Sequence, residues 1–259
     1  MGTRTKRKNV KITLITISYN AEKTIEDTLK SVERQHYDNL EYIIVDSKST
    51  DKTIEIVKKY NHIITKIICE KDQGISDAFN KGIVAATGDL IGIINADDVL
   101  CRNALDILAD EYDENIDVYR GKILKWNSEK KTKFEAIPSM DLIPHGQKII
   151  VAHPGTFIKR DAYKKFGKYD LKCRTMMDYE LLIRFAKCGA NFKYIPKILA
   201  AFRIGGITTD NKKVLINTPR ELRERYYVLR KNGIKGSVII LEMFKTVGKN
   251  IIKFVLKIG

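Results

Sequence analysis

The fold is decided by a short apolar segment that ends on two acids, LIGIINADD at residues 90–98. Its uninterrupted apolar residues, Leu90–Ile94, predict a buried strand, and Asp97 and Asp98 follow almost at once. Ligands of open α/β sheets bind beyond the carboxyl ends of the strands. The segment therefore predicts an α/β fold with functional acids at one edge of its sheet.

Three earlier strands are predicted on the same pattern, each ending in polar residues and followed by a helical stretch. The strands are residues 11–17, 41–45 and 63–69, and the helices after them are about 21–35, 51–60 and 75–86. Strands alternating with helices of this length indicate a parallel sheet with right-handed crossovers. Asp46 and Asp72 then lie at the same edge as Asp97, although any one such acid is as often a helix cap or turn residue.

After residue 112 the alternation of strands and helices ends. Predicted strands with prolines in the loops between them come first, and predicted helices follow. Strands are predicted at 117–124 and 133–137 and helices at 161–166 and 177–188, and the last 49 residues are mostly helical and basic. We therefore predict three parts: a basic tail (1–10), an α/β domain (11–210, with halves near 11–112 and 113–210) and a helical extension (211–259).

The formal charge of +15 lies almost entirely at the two ends of the chain. Residues 1–11 contain five basic residues and no acid, and residues 211–259 contain twelve basic residues against three acids. Such ends favour a polyanionic partner. Nucleic acid is disfavoured as that partner, because the basic segments lack interleaved aromatic residues and any recognised motif.

The basic C-terminal end predicts contact with an anionic membrane surface. Its lysines recur every four residues beside an apolar face: Lys245, Lys249, Lys253 and Lys257, with Phe244, Val247, Ile251, Phe254 and Ile258. A basic stripe beside an apolar face is typical of a helix that lies in a lipid headgroup layer. The alternative is a helix that packs its apolar side on the α/β domain.

Cysteine spacing and hydropathy predict a cytoplasmic protein. The four cysteines form no C-x-x-C pair, which disfavours a zinc or redox motif and fits a reducing compartment. We find no signal-peptide core near the start and no apolar run of about 18 residues. We therefore expect peripheral attachment to the cytoplasmic face of the membrane.

The pair Asp97 and Asp98 predicts a divalent metal site. Adjacent carboxylates repel each other unless a cation or a bound proton relieves them. Oxygen ligands suit Mn²⁺ or Mg²⁺, and substrate phosphates commonly complete their coordination. A metal so placed would neutralise the charge of a departing diphosphate.

Several motifs together resemble the family-2 glycosyltransferases over residues 11–206. They are ISYN (17–20), EYIIVDSKSTDKT (41–53), DQGISDAFNKG (72–82), ATGD (86–89), NADD (95–98), FGKYD (166–170) and DYEL (178–181). The resemblance implies a GT-A fold, a nucleotide-diphosphate sugar as donor, with UDP as the expected nucleotide, and inversion at the anomeric carbon. It further implies a glycan or lipid-linked acceptor in the synthesis of surface polysaccharide, capsule or lipopolysaccharide.

By position, the resemblance also implies the donor site. Tyr19 would pack against the nucleotide base, although a core tyrosine is the rival interpretation, and Asp46 would hydrogen-bond the base. Asp72 would line the nucleotide pocket, and Ser18 and Asn20 complete this part of the predicted site.

The metal ligands follow from the same resemblance. Asn95-Ala96-Asp97 occupies the place of the family's D-x-D signature, so Asn95 and Asp97 are assigned to the donor site. Asp97 is the first predicted metal ligand and Asp98 the second. Asn95 departs from the signature, which leaves the ligand set open.

Asp178 resembles the catalytic base of the family. An inverting transfer needs one carboxylate to accept the proton of the acceptor hydroxyl. Glu180 is the alternative, but two positions along a helix it points about 200° away, so only one of them can face the cleft. The helix macrodipole also favours acids here without any catalytic role. For His153 we expect a surface or structural role.

A non-catalytic sugar-nucleotide-binding or scaffold protein on the same fold is the alternative function. Asp46, Asp97, Asp98 and Asp178 occurring together favour the enzyme. A nucleotidyltransferase or a dinucleotide-binding enzyme is disfavoured, because residues 10–20 contain no glycine and no G-x-G-x-x-G follows the first strand.

Overall fold

The computed structural model describes residues 9–127, 132–144, 149–204 and 214–255, with side chains of the last segment described for residues 218–252. Most of the predicted basic tail, the predicted domain boundary near residue 210, and Lys257 and Ile258 lie outside these ranges. So do the side chains of Lys253 and Phe254.

Strands and helices alternate through the first half of the chain, as predicted. The strands are β1 (Ile12–Ser18), β2 (Leu40–Asp46), β3 (Lys66–Cys69) and β4 (Leu90–Ile93), and the helices are α1 (Ile25–Glu33), α2 (Thr53–Lys58) and α3 (Ile75–Ala85). The four strands pair in parallel in the order β3-β2-β1-β4. Alternate residues of β1 enter two different apolar clusters, Ile15 one and Leu14 the other, so this part of the sheet is covered on both faces.

Beyond β4 the sheet becomes mixed. The elements are β5 (Val99–Leu100), α4 (Ala104–Glu111), β6 (Val118–Asn127), β7 (Thr132–Ala136), β8 (Thr156–Lys159), α5 (Arg160–Phe166), α6 (Met177–Lys187), β9 (Phe192–Arg203), α7 (Val214–Lys231) and α8 (Gly236–Val255). β8 joins β4 to β6 by antiparallel pairing on both sides, and β9 pairs in parallel with β6 and antiparallel with β5. The parallel arrangement predicted from the sequence thus holds for the first four strands.

The sequence analysis did not predict β5, β8 or β9. β5 has only two residues, and β8 has only two apolar residues, Phe157 and Ile158, so neither carries a recognisable strand pattern. β9 is long but contains Pro196, a residue that argues against a strand. The register between β6 and β9 shifts from Gly121↔Ile195 to Lys122↔Ile198, so Pro196 lies in a bulge where its missing N–H is tolerated.

Helix α7 is part of the body. Val228 and Leu229 are fully buried in the same apolar cluster as Leu181 of α6. Glu224 accepts hydrogen bonds from the N–H groups of Thr175, at 2.9 Å, and Met176, at 3.2 Å, just before α6 begins. A carboxylate at this position satisfies free N–H groups and complements the helix dipole. The C-terminal part of the chain therefore holds the start of α6.

Helix α8 packs on α7 through its polar side. The amide of Asn250 donates hydrogen bonds to Thr218 and Glu221, both at 3.0 Å, and Arg225 forms an ion pair with Glu242 at 3.5 Å. Part of the apolar surface of α8 packs on the body, because Ile239 is buried in the core cluster and Val238 and Met243 lie against that cluster. Other apolar residues of α8 are exposed: Ile240, Leu241, Phe244, Ile251 and Ile252, with Phe244 74% exposed. The helix thus packs on the body through one side and leaves a second, apolar side exposed. None of the described helices has the length and apolarity needed to cross a bilayer.

Candidate active site

The carboxyl ends of β2, β1 and β4 lie side by side and gather most of the predicted donor-site residues. Ser18 and Asp46 are aligned in the parallel register of β1 and β2, and β4 leads into Asn95 on the other side of β1. Parallel pairing brings these strand ends to one edge because the chain returns to the same side of the sheet after every helix.

Asp46 is fully buried and organises the loops around it. Its carboxylate accepts hydrogen bonds from the hydroxyl of Ser18 at 2.7 Å, the N–H of Ser49 at 2.7 Å and the hydroxyl of Ser49 at 2.6 Å. A buried carboxylate needs such donors to offset its lost hydration. Asp46 thus fixes the end of β1 and the loop after β2 at this edge. A direct hydrogen bond from Asp46 to a nucleotide base remains a prediction.

Tyr19 stands out of the sheet edge, and its side chain is 64% exposed. The neighbouring Asn20 adopts a left-handed backbone, φ 49°. Asn20 donates its N–H to the hydroxyl of Ser49 at 2.9 Å and accepts the N–H of Thr50 at 2.9 Å. The rival interpretation of Tyr19 as a core residue is therefore wrong. An exposed ring on an anchored loop is suited to stacking on a planar base.

Asp72 belongs to the same edge through Ser47, whose hydroxyl accepts the N–H of Asp72 at 3.4 Å. The carboxylate of Asp72 accepts the N–H of Gly74 at 2.9 Å, directly before α3. Gly74 has φ 124°, a conformation that residues with a Cβ rarely adopt, so the turn depends on glycine. Asp72 therefore lies at this edge and orders the start of α3, and its place in the wall of a nucleotide pocket stays a prediction.

The two acids after β4 are placed differently. Asp98 is fully buried, and its carboxylate accepts the main-chain N–H of Arg203 at 3.1 Å and the amide of Asn95 at 3.4 Å. Asp97 is half-buried, and its main-chain oxygen accepts Nε of Arg203 at 3.2 Å. Burial raises the pKa of Asp97, and burial together with the charge of Asp97 raises the pKa of Asp98 to about 7.

These residues fit a hard divalent cation. Two adjacent carboxylates whose pKa values are raised by burial are relieved by a positive charge. Oδ1 of Asn95 is also buried without a hydrogen-bond partner among the described residues. Mn²⁺ and Mg²⁺ are commonly held by one or two carboxylates, with waters and substrate phosphates as the other ligands, so the pair Asp97 and Asp98 suits such an ion.

Asp178 lies in the first turn of α6 and is 23% exposed. Its Oδ1 lies 2.8 Å from Nδ1 of His153, a half-buried residue whose ring stacks on Phe79 with a centroid distance of 5.2 Å. Burial lowers the pKa of His153, but the negative charges of Asp178 and Asp98 outweigh that effect and raise it. His153 therefore lies within the electrostatic reach of both acids and connects the base candidate with the edge of the sheet.

Glu180 points into the protein, as helical geometry requires when Asp178 faces outward. It is fully buried and forms ion pairs with Arg184 at 3.0 Å and with Lys231 of α7 at 2.8 Å. Asp178 is consequently the more accessible acid of the two.

Sequence reasoning missed His153 and Glu224. It assigned His153 a surface or structural role, whereas the structure places its ring against Asp178. The sequence AHPG does indicate a turn, which here is a single 3-10 turn at His153–Gly155, but nothing local to it points to α6. Glu224 lies within a helical pattern and carries no local signal for its role at the start of α6.

Two solved structures superpose on most of this chain. A mannosyltransferase of Pyrobaculum calidifontis, solved with GDP-Man and Mn²⁺, superposes with a TM-score of 0.68 at 17% identity over 98% of this chain and 77% of its own. Staphylococcus aureus TarS in complex with UDP-GlcNAc superposes with a TM-score of 0.63 at 18% identity over 85% of this chain and 71% of its own. These likenesses confirm the predicted GT-A fold.

Sequence relatives agree with the fold. A glycosyltransferase of Methanocaldococcus jannaschii is 28% identical over 85% of this chain and 78% of its own length. A PGL/p-HBAD biosynthesis glycosyltransferase of Mycobacterium tuberculosis is 27% identical over 81% of this chain and 84% of its own length. The model of glycosyl transferase family 2 matches residues 13–183, well over half of the chain and all of the strand-end motifs from β1 to α6. The chain belongs to glycosyl transferase family 2.

Proposed function

We propose that this chain transfers a hexose-type sugar from a nucleotide-diphosphate sugar, with UDP as its nucleotide, to a hydroxyl of a glycan or lipid-linked acceptor, with inversion and with a divalent metal. The observation that carries the proposal is the pair Asp97 and Asp98 at the sheet edge that also presents the exposed Tyr19, with His153 in contact with Asp178 and within electrostatic reach of Asp98. TarS with UDP-GlcNAc and the mannosyltransferase with GDP-Man support a nucleotide-diphosphate donor.

The proposed biological setting is the synthesis of a surface polysaccharide, capsule or lipopolysaccharide. Two relatives favour it by their names. One is the mycobacterial PGL/p-HBAD biosynthesis glycosyltransferase, and the other is the chondroitin synthase of Escherichia coli, which is 25% identical over 84% of this chain and 32% of its own length.

In the proposed mechanism Asp178 removes the proton of the acceptor hydroxyl while that oxygen bonds to the anomeric carbon. The bond from that carbon to the diphosphate breaks on the opposite face, which inverts the centre, and the nucleoside diphosphate leaves with the bonding electrons. Asp97, with Asp98 behind it, would hold the Mn²⁺ or Mg²⁺ that neutralises the departing diphosphate when bound. Tyr19 would hold the base by stacking.

A donor screen with the full chain tests the proposal. We expect release of UDP from UDP-GlcNAc or UDP-glucose with Mn²⁺ or Mg²⁺, little release from GDP-mannose or dTDP-glucose, and none with EDTA. Nucleoside diphosphate is measured by a coupled assay and donor binding by calorimetry. Binding of every donor without turnover would favour the non-catalytic alternative. Preferred turnover of a GDP- or dTDP-sugar would contradict UDP as the nucleotide.

We also propose that the exposed face of α8 attaches the protein to an anionic membrane that carries the acceptor lipid. The support is that Ile240, Leu241, Phe244, Ile251 and Ile252 are exposed on a helix whose polar side is already used on α7. The exposed Lys245 and Lys249 lie beside this face, in a C-terminal segment with nine more basic than acidic residues (twelve minus three). An interfacial helix typically inserts apolar side chains into the membrane while neighbouring basic residues contact the anionic headgroups.

Vesicle flotation tests the attachment. Full-length protein should float with phosphatidylglycerol vesicles, more weakly in high salt, and much less with phosphatidylcholine alone. The double variant Phe244→Gln, Ile251→Gln should reduce binding by at least about 100-fold, because each side chain that inserts into the membrane contributes roughly 1.5–3 kcal/mol. Val84→Gln, at an exposed valine on α3, is the matched control and should bind normally. Equal flotation of the double variant and the control would contradict the attachment.

A further inference from the structure

His153 is a half-buried residue that has no step in the mechanism above, although it touches the proposed base. Nδ1 of His153 lies 2.8 Å from Oδ1 of Asp178. The contact is a short ion pair without the direction of a hydrogen bond, a geometry that is common at catalytic pairs before the reacting complex forms. The pair bridges α6 and the turn at His153–Gly155, which are separated by more than twenty residues along the chain.

The ring of His153 is held firmly on its other sides. It stacks on Phe79 of α3 with an interplanar angle of 15°, and the preceding Ala152 adopts a left-handed backbone, φ 53°, that aims the turn inward. A non-glycine residue in this conformation costs of the order of 1 kcal/mol and persists where the surroundings require it. The imidazole is therefore a rigid support beside a carboxylate at the cleft.

A packing role alone does not explain a histidine at this position. Nε2 is buried and has no hydrogen-bond partner among the described residues, which disfavours histidine relative to an apolar ring. What the imidazole provides is a positive or polar nitrogen facing Asp178 and, at longer range, Asp98. Tyr169 lines the same small cavity as His153 and Asp178.

We propose that His153 is a positioning residue that orients the carboxylate of Asp178 toward the acceptor hydroxyl through Nδ1. The inference rests on the proposed function, in which Asp178 is the base. It predicts that loss of the Nδ1 contact slows the chemical step and leaves donor binding unchanged, because His153 supports the base and not the donor pocket. Misplacement of a reacting group by about 1 Å commonly costs on the order of 100-fold in rate.

Two replacements that are isosteric with each other, but not with histidine, separate this role from packing. In His153→Asn the side-chain amide keeps an N–H near the position of Nδ1, whereas His153→Leu has the same branched shape without it. Both variants lose the ring and its stacking on Phe79, so the difference between them isolates the polar contact. Metal-dependent hydrolysis of UDP-GlcNAc and of GDP-mannose, with water as acceptor, gives kcat and KM for whichever donor is turned over, and thermal melting reports the fold.

We expect His153→Leu to lower kcat about 10- to 100-fold with the donor KM unchanged, and His153→Asn to recover most of that loss at a similar melting temperature. Wild-type kcat in His153→Leu, or equal loss in both variants, would overturn the positioning role. Asp178→Asn, measured alongside, separates the two ideas. If that variant is inactive while His153→Leu is fully active, the inference alone fails, whereas an active Asp178→Asn means that the proposed function has the wrong base.

Discussion

Replacing Asp178 with asparagine is expected to lower the rate of sugar transfer by about 10²- to 10⁴-fold, the usual contribution of a general base. Asparagine keeps the shape of the side chain but cannot accept the proton of the acceptor hydroxyl. Since the side chain lies in the first turn of α6 and not among the residues that gather around Asp46, donor binding should change little. The measurements are kcat with the preferred donor and the dissociation constant of the nucleotide.

The control for this experiment is Asp161→Asn. Asp161 is also an acid in the first turn of a helix, α5, where it forms an exposed ion pair with Lys164 at 2.9 Å. If Asp178 were present merely because helix N-termini favour acids, the two variants would behave alike. A transfer rate of Asp178→Asn within a few-fold of the control would therefore remove Asp178 from the chemistry.

Replacing Asp97 with asparagine is expected to weaken metal-dependent nucleotide binding by on the order of 100-fold and to lower turnover by at least as much. The change removes one of two adjacent negative charges and leaves Asp98, which is buried and engaged with Arg203 and Asn95, as the remaining carboxylate. Calorimetric titration of UDP in Mn²⁺ and in EDTA measures the effect. The wild type should show a large difference between the two conditions, and Asp97→Asn a small one.

Asp38→Asn serves as the control for Asp97→Asn. Asp38 is exposed and precedes β2, at the sheet edge opposite to the candidate site, so the variant changes the net charge equally without touching that site. Mn²⁺-dependent UDP binding at the wild-type level in Asp97→Asn would exclude Asp97 as a metal ligand. A loss that also occurs in EDTA would instead point to a damaged pocket.

The first half of the fold was predictable because its signals are local. Each of the strands β1, β2 and β4 is a short apolar run bounded by polar residues, and each run is followed by a helix with capping or turn residues at its start. The second half was not predictable in the same way. β8 becomes a strand by pairing with β4 and β6, and β9 tolerates Pro196 only because a bulge forms opposite Gly121.

The candidate site was predictable in part for the same reason. Asp46 and Asp97 follow strands, so their edge of the sheet could be derived, and the resemblance identified Asp178 on a distant helix. The burial and the hydrogen-bond partners of these acids could not be derived from the sequence. Asp46 and Asp98 are fully buried where they meet Ser49 and Arg203, and the contact of His153 with Asp178 joins a turn and a helix that share no sequence pattern.

The sequence by itself determined that this chain has a parallel α/β core with acids at the strand ends. The apolar runs and the polar residues that end them are local features, so a few neighbouring residues are enough to recognise each one. The tertiary structure decided which acid is exposed, which residues support it, and which side of α8 faces outward. Those properties depend on pairs such as Glu224 with Thr175 and Asn250 with Glu221, which are distant along the chain and meet after the core has packed.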